Sequence, residues 1–532
     1  MKKTALIFLL LCWCTMGAQI TQVSGNQNGT WSGEIHIIDE VFVPGGETLT
    51  IDAGTKIIAD GYFGITVTGN LFALGEEDAR ITFTVADTTG YSNYEDPTSG
   101  GWDGFNFRKP GQVLMRYCDF SYGKTEDSTD GGMMWISYAT DFEIANSTFH
   151  HNTTRRKGGA IYAENSSLNI HDCEIYECLA EAPIGSWTWG VGCQFLKCNL
   201  DLHDMVFHDN ISSTAYGGGM NIDSCDMTLK NAVFYNNFVV NAGGLGIQRC
   251  KGHTVKVSDI LAYNNVVIHY GGGLAMAESD PELNNLTIVN NYCGAGGGGM
   301  QMAFNACPTI NNSIFWGNHA IMEITETDTV EYYDGCQIWL WGDNNYPTFN
   351  NGLVMYGIDT IFGGFHIDEN HYNDMLETNP LFVDEKHHDY RLMPESPCIN
   401  AGTADISGLF IPETDLAGGP RVYNDRIDMG CYEWNNLNVN EFYGDGNQIS
   451  VYPNPLNGNG LCVINLKSET NIVVKLISLD GKELYRKDYG VFEAGEHRIP
   501  LNGVLEKLEK KNDLYLLIID TESDRCINKI IY

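Results

Sequence analysis

The chain has 532 residues, more than one compact core supports, with 31 basic against 68 acidic residues and a formal charge of −37. That balance argues against polyanionic partners, whether nucleic acid or an anionic membrane surface. The carboxylate excess leaves room for calcium, which takes clustered oxygens, but no Asp-x-Asp-x-Asp-Gly loop occurs, so no cofactor is expected and no metal ligand is assigned.

Residues 1–18 read as a secretory signal. Lys2 and Lys3 precede an apolar run from Ala5 to Trp13, and Met16-Gly17-Ala18 offers a cleavage site before Gln19. No later stretch is apolar enough to span a membrane. Of the 16 cysteines, Cys12 and Cys14 lie in the signal, so 14 remain for an oxidising compartment where disulfides form.

Residues 19–116 hold short alternating runs punctuated by Gly45-Gly46, Gly54 and Gly69-Asn70 and are expected to form an N-terminal cap and first coils. From 117 to 375 the chain repeats. A Phe-x-x-Asn turn precedes a Gly run three times over: Phe149 to Asn152, Phe207 to Asn210 and Phe234 to Asn237. The fourth turn position falls at 123, 152, 178, 210, 237, 265, 291 and 318, a period in the high twenties. Such a period, built of short alternating runs, predicts a solenoid of β coils. After each Gly run the columns Met134, Ile161, Cys193, Met220, Leu245, Leu274, Met300 and, two residues on, Ile136, Ala163, Phe195, Ile222, Ile247, Met276, Met302 predict strands with one buried face, stacked at about 4.8 Å. Asn at six of the eight turn positions predicts a side-chain ladder from coil to coil. Two irregular coils are expected through Gln337–Trp341 and Gly352–Val354. Residues 376–434 are expected to form a terminal coil, 435–448 a polar linker, and 449–532 a small separate all-β domain.

Four groups of residues carry candidate chemistry. The residue after each turn Phe should point outward. His150, Tyr176, His208, Tyr235, Tyr263 and Trp316 fall there, a stripe about 34 Å long whose ring faces suit the apolar faces of sugars, or which stabilises the stack without a ligand. Arg155-Arg156-Lys157 is a basic cluster that would seat a uronate or sulfate, or simply be a solvated turn. Trp187 and Trp189 lie in an insertion of the longest coil, and with Trp339 and Trp341 would flank a cleft or pack flank loops. Glu164 and Asp223 occupy equivalent outward positions two coils apart, about 9.6 Å by coil spacing, near the upper end of the separation used by inverting glycosidases; exposed carboxylates without function are the alternative. Cys198, Cys225 and Cys250 form one column with Ser166, Ser279 and Asn305, which reads as a buried small-residue ladder rather than a metal site.

Several phrases resemble known families. The phrases "VPGGETLTIDAGTKI" and "GGWDGFNF" resemble the opening coils of secreted bacterial β-helix proteins, and "GGAIYAENSSLNI" at 158–170 resembles polymorphic outer-membrane and adhesin repeats. "NPLFVD", "DYRLMPESPCINAG", "DLAGGPRV" and "DMGCYE" between 379 and 433 resemble the terminal coil of the choice-of-anchor group. "VYPNP" at 451–455, "SLDGKEL" at 478–484 and the closing "NKIIY" resemble the type A sorting domain of the type IX (Por) secretion system. The resemblance implies a right-handed parallel β-helix followed by a small β-sandwich, all-β throughout. It implies export across the outer membrane by the type IX machinery, to the cell surface or the medium. Cys398 and Cys431 stand in the two most regular terminal phrases and are expected to pair; Cys462 and Cys526 are the second expected pair. The function expected is that of a monomeric adhesin-like surface protein binding a polysaccharide, glycoprotein or matrix ligand, with a polysaccharide lyase or glycoside hydrolase as the alternative. No catalytic phrase of those enzymes was found.

Overall fold

The structure is a computed structural model that describes residues 21–531 except 94–95, 97, 126–128, 184, 321–335, 343, 364–369, 424–425, 435–440, 444–447, 453–460, 467, 479–481, 502–513 and 521–524. The expected secretory signal lies outside the described residues. Contacts divide the chain into two units: residues 1–381 with 396–412 and 429–431, and residues 382–395 with 413–428 and 432–532.

The first unit is a parallel β-helix. One coil runs through the strands Met220–Asp223, Asp226–Tyr235 and Phe238–Asn241, and the next through Leu245–Gln248, Val255–Tyr263 and Val266–Tyr270. Each strand pairs in parallel with its counterpart one coil away, Met220 with Leu245, Met227 with Val255 and Phe238 with Val266. The expected columns hold residue for residue from Met134 to Met300 and continue to Ile338.

The corners explain the Asn and Asp content. Asp172, Asp204, Asn231, Asp259 and Asn285 have positive φ at one corner, and Glu177, Asp209, Asn236, Asn264 and Asn290 at the next. This is the left-handed region that Asn and Asp tolerate best among residues with a Cβ. Beside the second corner runs the predicted ladder. Asn210 Nδ2 donates to Asn237 Oδ1 at 2.9 Å, Asn237 to Asn265 at 2.9 Å, Asn265 to Asn291 at 2.9 Å and Asn291 to Asn318 at 3.0 Å. Asn318 then donates to Gln337 Oε1 at 2.8 Å. Inside the corner the phenylalanines stack, Phe120 on Phe149 at 4.6 Å and Phe207 on Phe234 at 5.0 Å.

Three details depart from the expected layout. The Cys column is a buried ladder, with Cys198 N–H donating to Cys225 Sγ and Cys250 N–H to Ser279 Oγ, but it passes through buried Ala306, not Asn305, and on to Asn345, whose Oδ1 accepts from Ala306 N–H at 3.0 Å. Phe304 and Asn305 both take positive φ, so the corner there is one residue longer. Ile338–Trp341 and Leu353–Val354 belong to one coil, since they pair with Met300–Ala303 and with Ile314 and Phe315 of the same preceding coil. A further coil follows through Ile361–Gly363 and Tyr372–Asn373. Residues 396–412 and 429–431 run along the side of the coils: Phe410 N–H donates to Glu282 at 2.7 Å, Thr403 N–H to Asn312 Oδ1 at 2.7 Å and Cys431 N–H to Thr287 at 3.0 Å.

The second unit includes two antiparallel sheets. Thr470–Ser478 pairs with Glu483–Phe492 and Leu514–Asp520, and Leu461–Leu466 with Gln448–Tyr452 and Gly495–Pro500. Ile464 and Ile499 of one sheet share a core with Val474, Leu476 and Leu517 of the other, giving a small sandwich. Among the described residues there is no disulfide and no helix long and apolar enough to cross a membrane. Cys398, Cys431 and Cys462 are buried, and the Cys526 side chain lies outside the described residues.

Candidate functional site

The outward stripe is in register, His150 with Tyr176, His208, Tyr235, Tyr263 and then Val289 and Trp316. Five of its rings stack face to face. His150 and Tyr176 lie 5.1 Å apart, Tyr176 and His208 5.0 Å, His208 and Tyr235 4.6 Å, and Tyr235 and Tyr263 5.1 Å, with interplanar angles of 3–19°. Coil spacing dictates this, because identical rotamers about 4.8 Å apart bring flat rings into contact. Ring faces are therefore spent on one another, and the stripe presents half-buried edges. The carboxylates of Asp119, Glu174 and Asp209 bind those edges, at 3.0 Å from His150, and at 3.1 and 2.6 Å from His208.

Burial lowers the affinity of His208 for its proton, but the hydrogen bonds to Glu174 and Asp209 outweigh it, so its pKa is raised above 6.5. A group raised in the folded state adds stability that is complete below the unfolded pKa and fades as pH rises through the folded one. The loss of thermal stability between pH 6 and pH 8 is accordingly expected to be smaller in His208→Gln than in the parent; equal losses would remove His208 from the account. Burial first, then Asp119 and Glu174, pushes the Tyr176 hydroxyl up to about 12, so it stays a neutral donor.

The other candidates gather on the outer face of the sheet that begins each coil. Tyr162, Gln194, Asn221, Gly246, Ala275, Gln301 and Trp339 form one outward column, and Glu164, Leu196, Asp223, Gln248, Ala277, Ala303 and Trp341 the next. Glu164 and Asp223 are thus two steps apart on one column. Each already has partners. Tyr162 hydroxyl donates to Glu164 at 3.2 Å. Asp223 is buried, accepts from Ser224 at 2.9 Å and from Arg249 Nε at 2.9 Å, and is also bound by an Arg249 Nη. An arginine clamp of this kind keeps both carboxylate oxygens occupied. Arg156 is likewise paired, with Asp130 at 3.0 Å, while Arg155 is half-buried beside it.

Aromatic rings stand at both ends of this face. Trp189 stacks on Tyr216 at 4.6 Å, with Trp187 edge-on to Tyr216 at 5.8 Å and exposed. Five coils further, Trp341 packs against Tyr270 at 5.9 Å and Phe304 at 4.9 Å, and Trp341 and Phe304 remain 44% and 52% exposed. Ala275 and Ala303, small and outward, are buried in that region. The same columns hold amides, of which Gln194, Asn221 and Gln301 are buried and Gln248 is half-buried. Asn221 donates to Gln194 at 2.8 Å, while Asn221 Oδ1 is buried with no hydrogen-bond partner among the described residues. The two groups approach each other, since Tyr216 pairs with Asn241 and Asn241 with Tyr270, which places Tyr216 and Tyr270 two coil steps apart, about 9.6 Å.

The sequence reading named Trp187, Trp189 and Trp341 as candidates but not Phe304, and gave no role to the amides of the alternating column. It also missed two other features. Ile211, Phe238, Val266 and Tyr292 form an exposed apolar column three residues beyond the ring stripe, and the pairs His171-Asp172 and His203-Asp204 stack in register. The signal for the second was available: the pairs are 32 residues apart, the same spacing as the turn positions Cys178 and Asn210.

A solenoid with a long outer face ringed at both ends by aromatic side chains is the class of molecule these observations define. Residues 35–200 and 75–257 match the family described as "Right handed beta helix region", so the coils are a right-handed β-helix repeat region. No curated protein sequence matches the chain. Among solved structures, the chain is similar to crystal structures of the periplasmic alginate epimerase AlgG and of a point mutant of it, each at 12% identity and a TM-score of 0.34, covering 66% of this chain and 78% of the other.

Proposed function

We propose that the β-helix binds an extended, uncharged polysaccharide along the face between Trp187 and Trp341. The observation that carries this is the run of aromatic side chains on that face, Trp187, Trp189 and Tyr216 and then Tyr270, Phe304 and Trp341, of which Trp187, Phe304 and Trp341 are exposed. Exposed aromatic rings take the apolar faces of sugars, and the half-buried Gln248 offers an amide to their hydroxyls. The stacked stripe from His150 to Tyr263 has no such rings to offer, which moves binding from that stripe to the neighbouring sheet. The surplus of carboxylates, with Arg249 and Arg156 already paired, favours a neutral chain over a polyuronate. The sorting-domain resemblance supports export across the outer membrane as the address, where Cys398 and Cys431 would pair.

The test is affinity electrophoresis of the full chain against neutral and acidic polysaccharides. Retardation by a neutral polymer is expected, and it should fall at least tenfold in Trp341→Ala combined with Phe304→Ala while the thermal midpoint moves little. Unchanged retardation in that variant, or retention by acidic polymers alone, would overturn the proposal. Release of new reducing ends that stops in Glu164→Gln would make the protein an enzyme acting on the same polymer.

A further inference from the structure

On a different face of the coils, His171 and His203 occupy the same position of adjacent coils and stack at 4.6 Å and 14°. Each is followed by an aspartate in left-handed conformation, Asp172 at φ 52° and Asp204 at φ 54°. That turn folds each carboxylate back on the ring before it. Asp172 Oδ2 lies 2.6 Å from His171 Nδ1, and Asp204 Oδ2 lies 2.7 Å from His203 Nδ1. Donor atoms of His171, Asp172 and His203 all lie within 4.8 Å of one another.

We propose that this pair is a binding site for a single divalent transition-metal ion of the zinc class, with His171, His203 and Asp172 as ligands and Asp204 orienting His203. Three arguments support it. Imidazole with a carboxylate is the donor set such ions prefer, and a carboxylate on the far nitrogen fixes the tautomer and raises ring basicity. Metal–nitrogen bonds of about 2.0–2.1 Å run along lone pairs in the ring plane, so both rings must swing out of their stack toward a common point, and both are partly exposed, with room for that movement. Finally, the local cations are engaged elsewhere. Arg116 is bound by Glu143 at 2.6 Å, and Lys230, the next residue of the column after His203, lies 5.3 Å over the Phe410 ring. Glu143 Oε1, 3.8 Å from His171 Nε2, adds negative charge to the site, and Asn231 holds Asp204 from the other side at 3.1 Å. The pair is confined to two coils, because the preceding coil has Ala145 and the following one Lys230 in its place.

Zinc chloride titrated into the full chain at pH 7.5 and read by calorimetry is the experiment, with copper(II) chloride added to separate metal-free samples and read by electron paramagnetic resonance. One tight equivalent is expected, with coupling from two ring nitrogens. His203→Gln should weaken binding more than tenfold and leave coupling from one nitrogen. Asp204→Asn, which keeps both imidazoles, should weaken it by about 10–100-fold. His253→Gln, which removes an exposed histidine paired with Asp226, should change nothing. No zinc uptake, or an affinity unaffected by His203→Gln in a variant that keeps the parental circular dichroism, would refute the site.

Discussion

Asn237→Ala is expected to cost about 3–5 kcal/mol, far more than a one-residue polar truncation on a surface would. The side chain is fully buried and has partners on both neighbouring coils. Its Oδ1 accepts from Asn210 N at 3.2 Å and from Asn210 Nδ2 at 2.9 Å, and its Nδ2 donates to Phe207 O at 3.1 Å and Asn265 Oδ1 at 2.9 Å. Alanine leaves two donors and a carbonyl in a dry corner, and each orphaned buried group costs about 1–3 kcal/mol. Asn237→Asp provides a second check. It keeps the acceptor, and a carboxyl buried there is driven to its neutral form, so this variant should lose less stability at pH 4 than at pH 8 relative to the parent. Chemical denaturation measures both. An Asn237→Ala variant within 1 kcal/mol of the parent would mean that the ladder decorates the corner without holding it.

The ladder, the period and the buried columns were legible because a solenoid repeats the same environment, and eight samples of one position average away local noise. The sites were less legible for the same reason. A column predicted to present aromatic faces presents edges, because the repeat that brings Tyr176, His208 and Tyr235 together also stacks them. Outward placement identified Asp223, but its burial under Arg249 depends on a neighbour 26 residues away that comes near only through the register. Pairings across coils of unequal length were the hardest to see. His171 meets His203 across the longest repeat, where a fixed period would have misaligned them.

Gly243→Ala adds one methyl group and is expected to remove as much stability as the loss of a large core side chain. The reason is steric rather than conformational, since Gly243 does not adopt positive φ. A Cβ there would lie 2.1 Å from the carbonyl oxygen of Gly272 and 2.5 Å from Cβ of Asn265. Gly218 faces Gly243 and Gly272 faces Gly298 in the same way, at 2.2 and 2.0 Å. Neither obstacle can rotate aside, because one is backbone and the other is the root of the Asn ladder. The coils cannot part, because Gly243 N–H donates to Gly271 and Gly244 N–H to Gly273 at 2.8 Å. Overpacking of a fitted core costs about 1–3 kcal/mol when side chains can yield, and here they cannot, so a loss above about 3 kcal/mol is expected. Gly45→Ala is the contrast, because the nearest atom to its Cβ would be 3.8 Å away; it should be neutral or slightly stabilising. In a solenoid each coil touches only its neighbours, so the damage should spread from the coil of Gly243 to the two beside it. Hydrogen exchange should show lost protection first in the strands Met220–Asp223, Leu245–Gln248 and Leu274–Ala277. Those strands belong to the face proposed to bind the polysaccharide, so retardation should fall together with protection. Uniform loss of protection along all coils would instead mean that the solenoid melts as one unit.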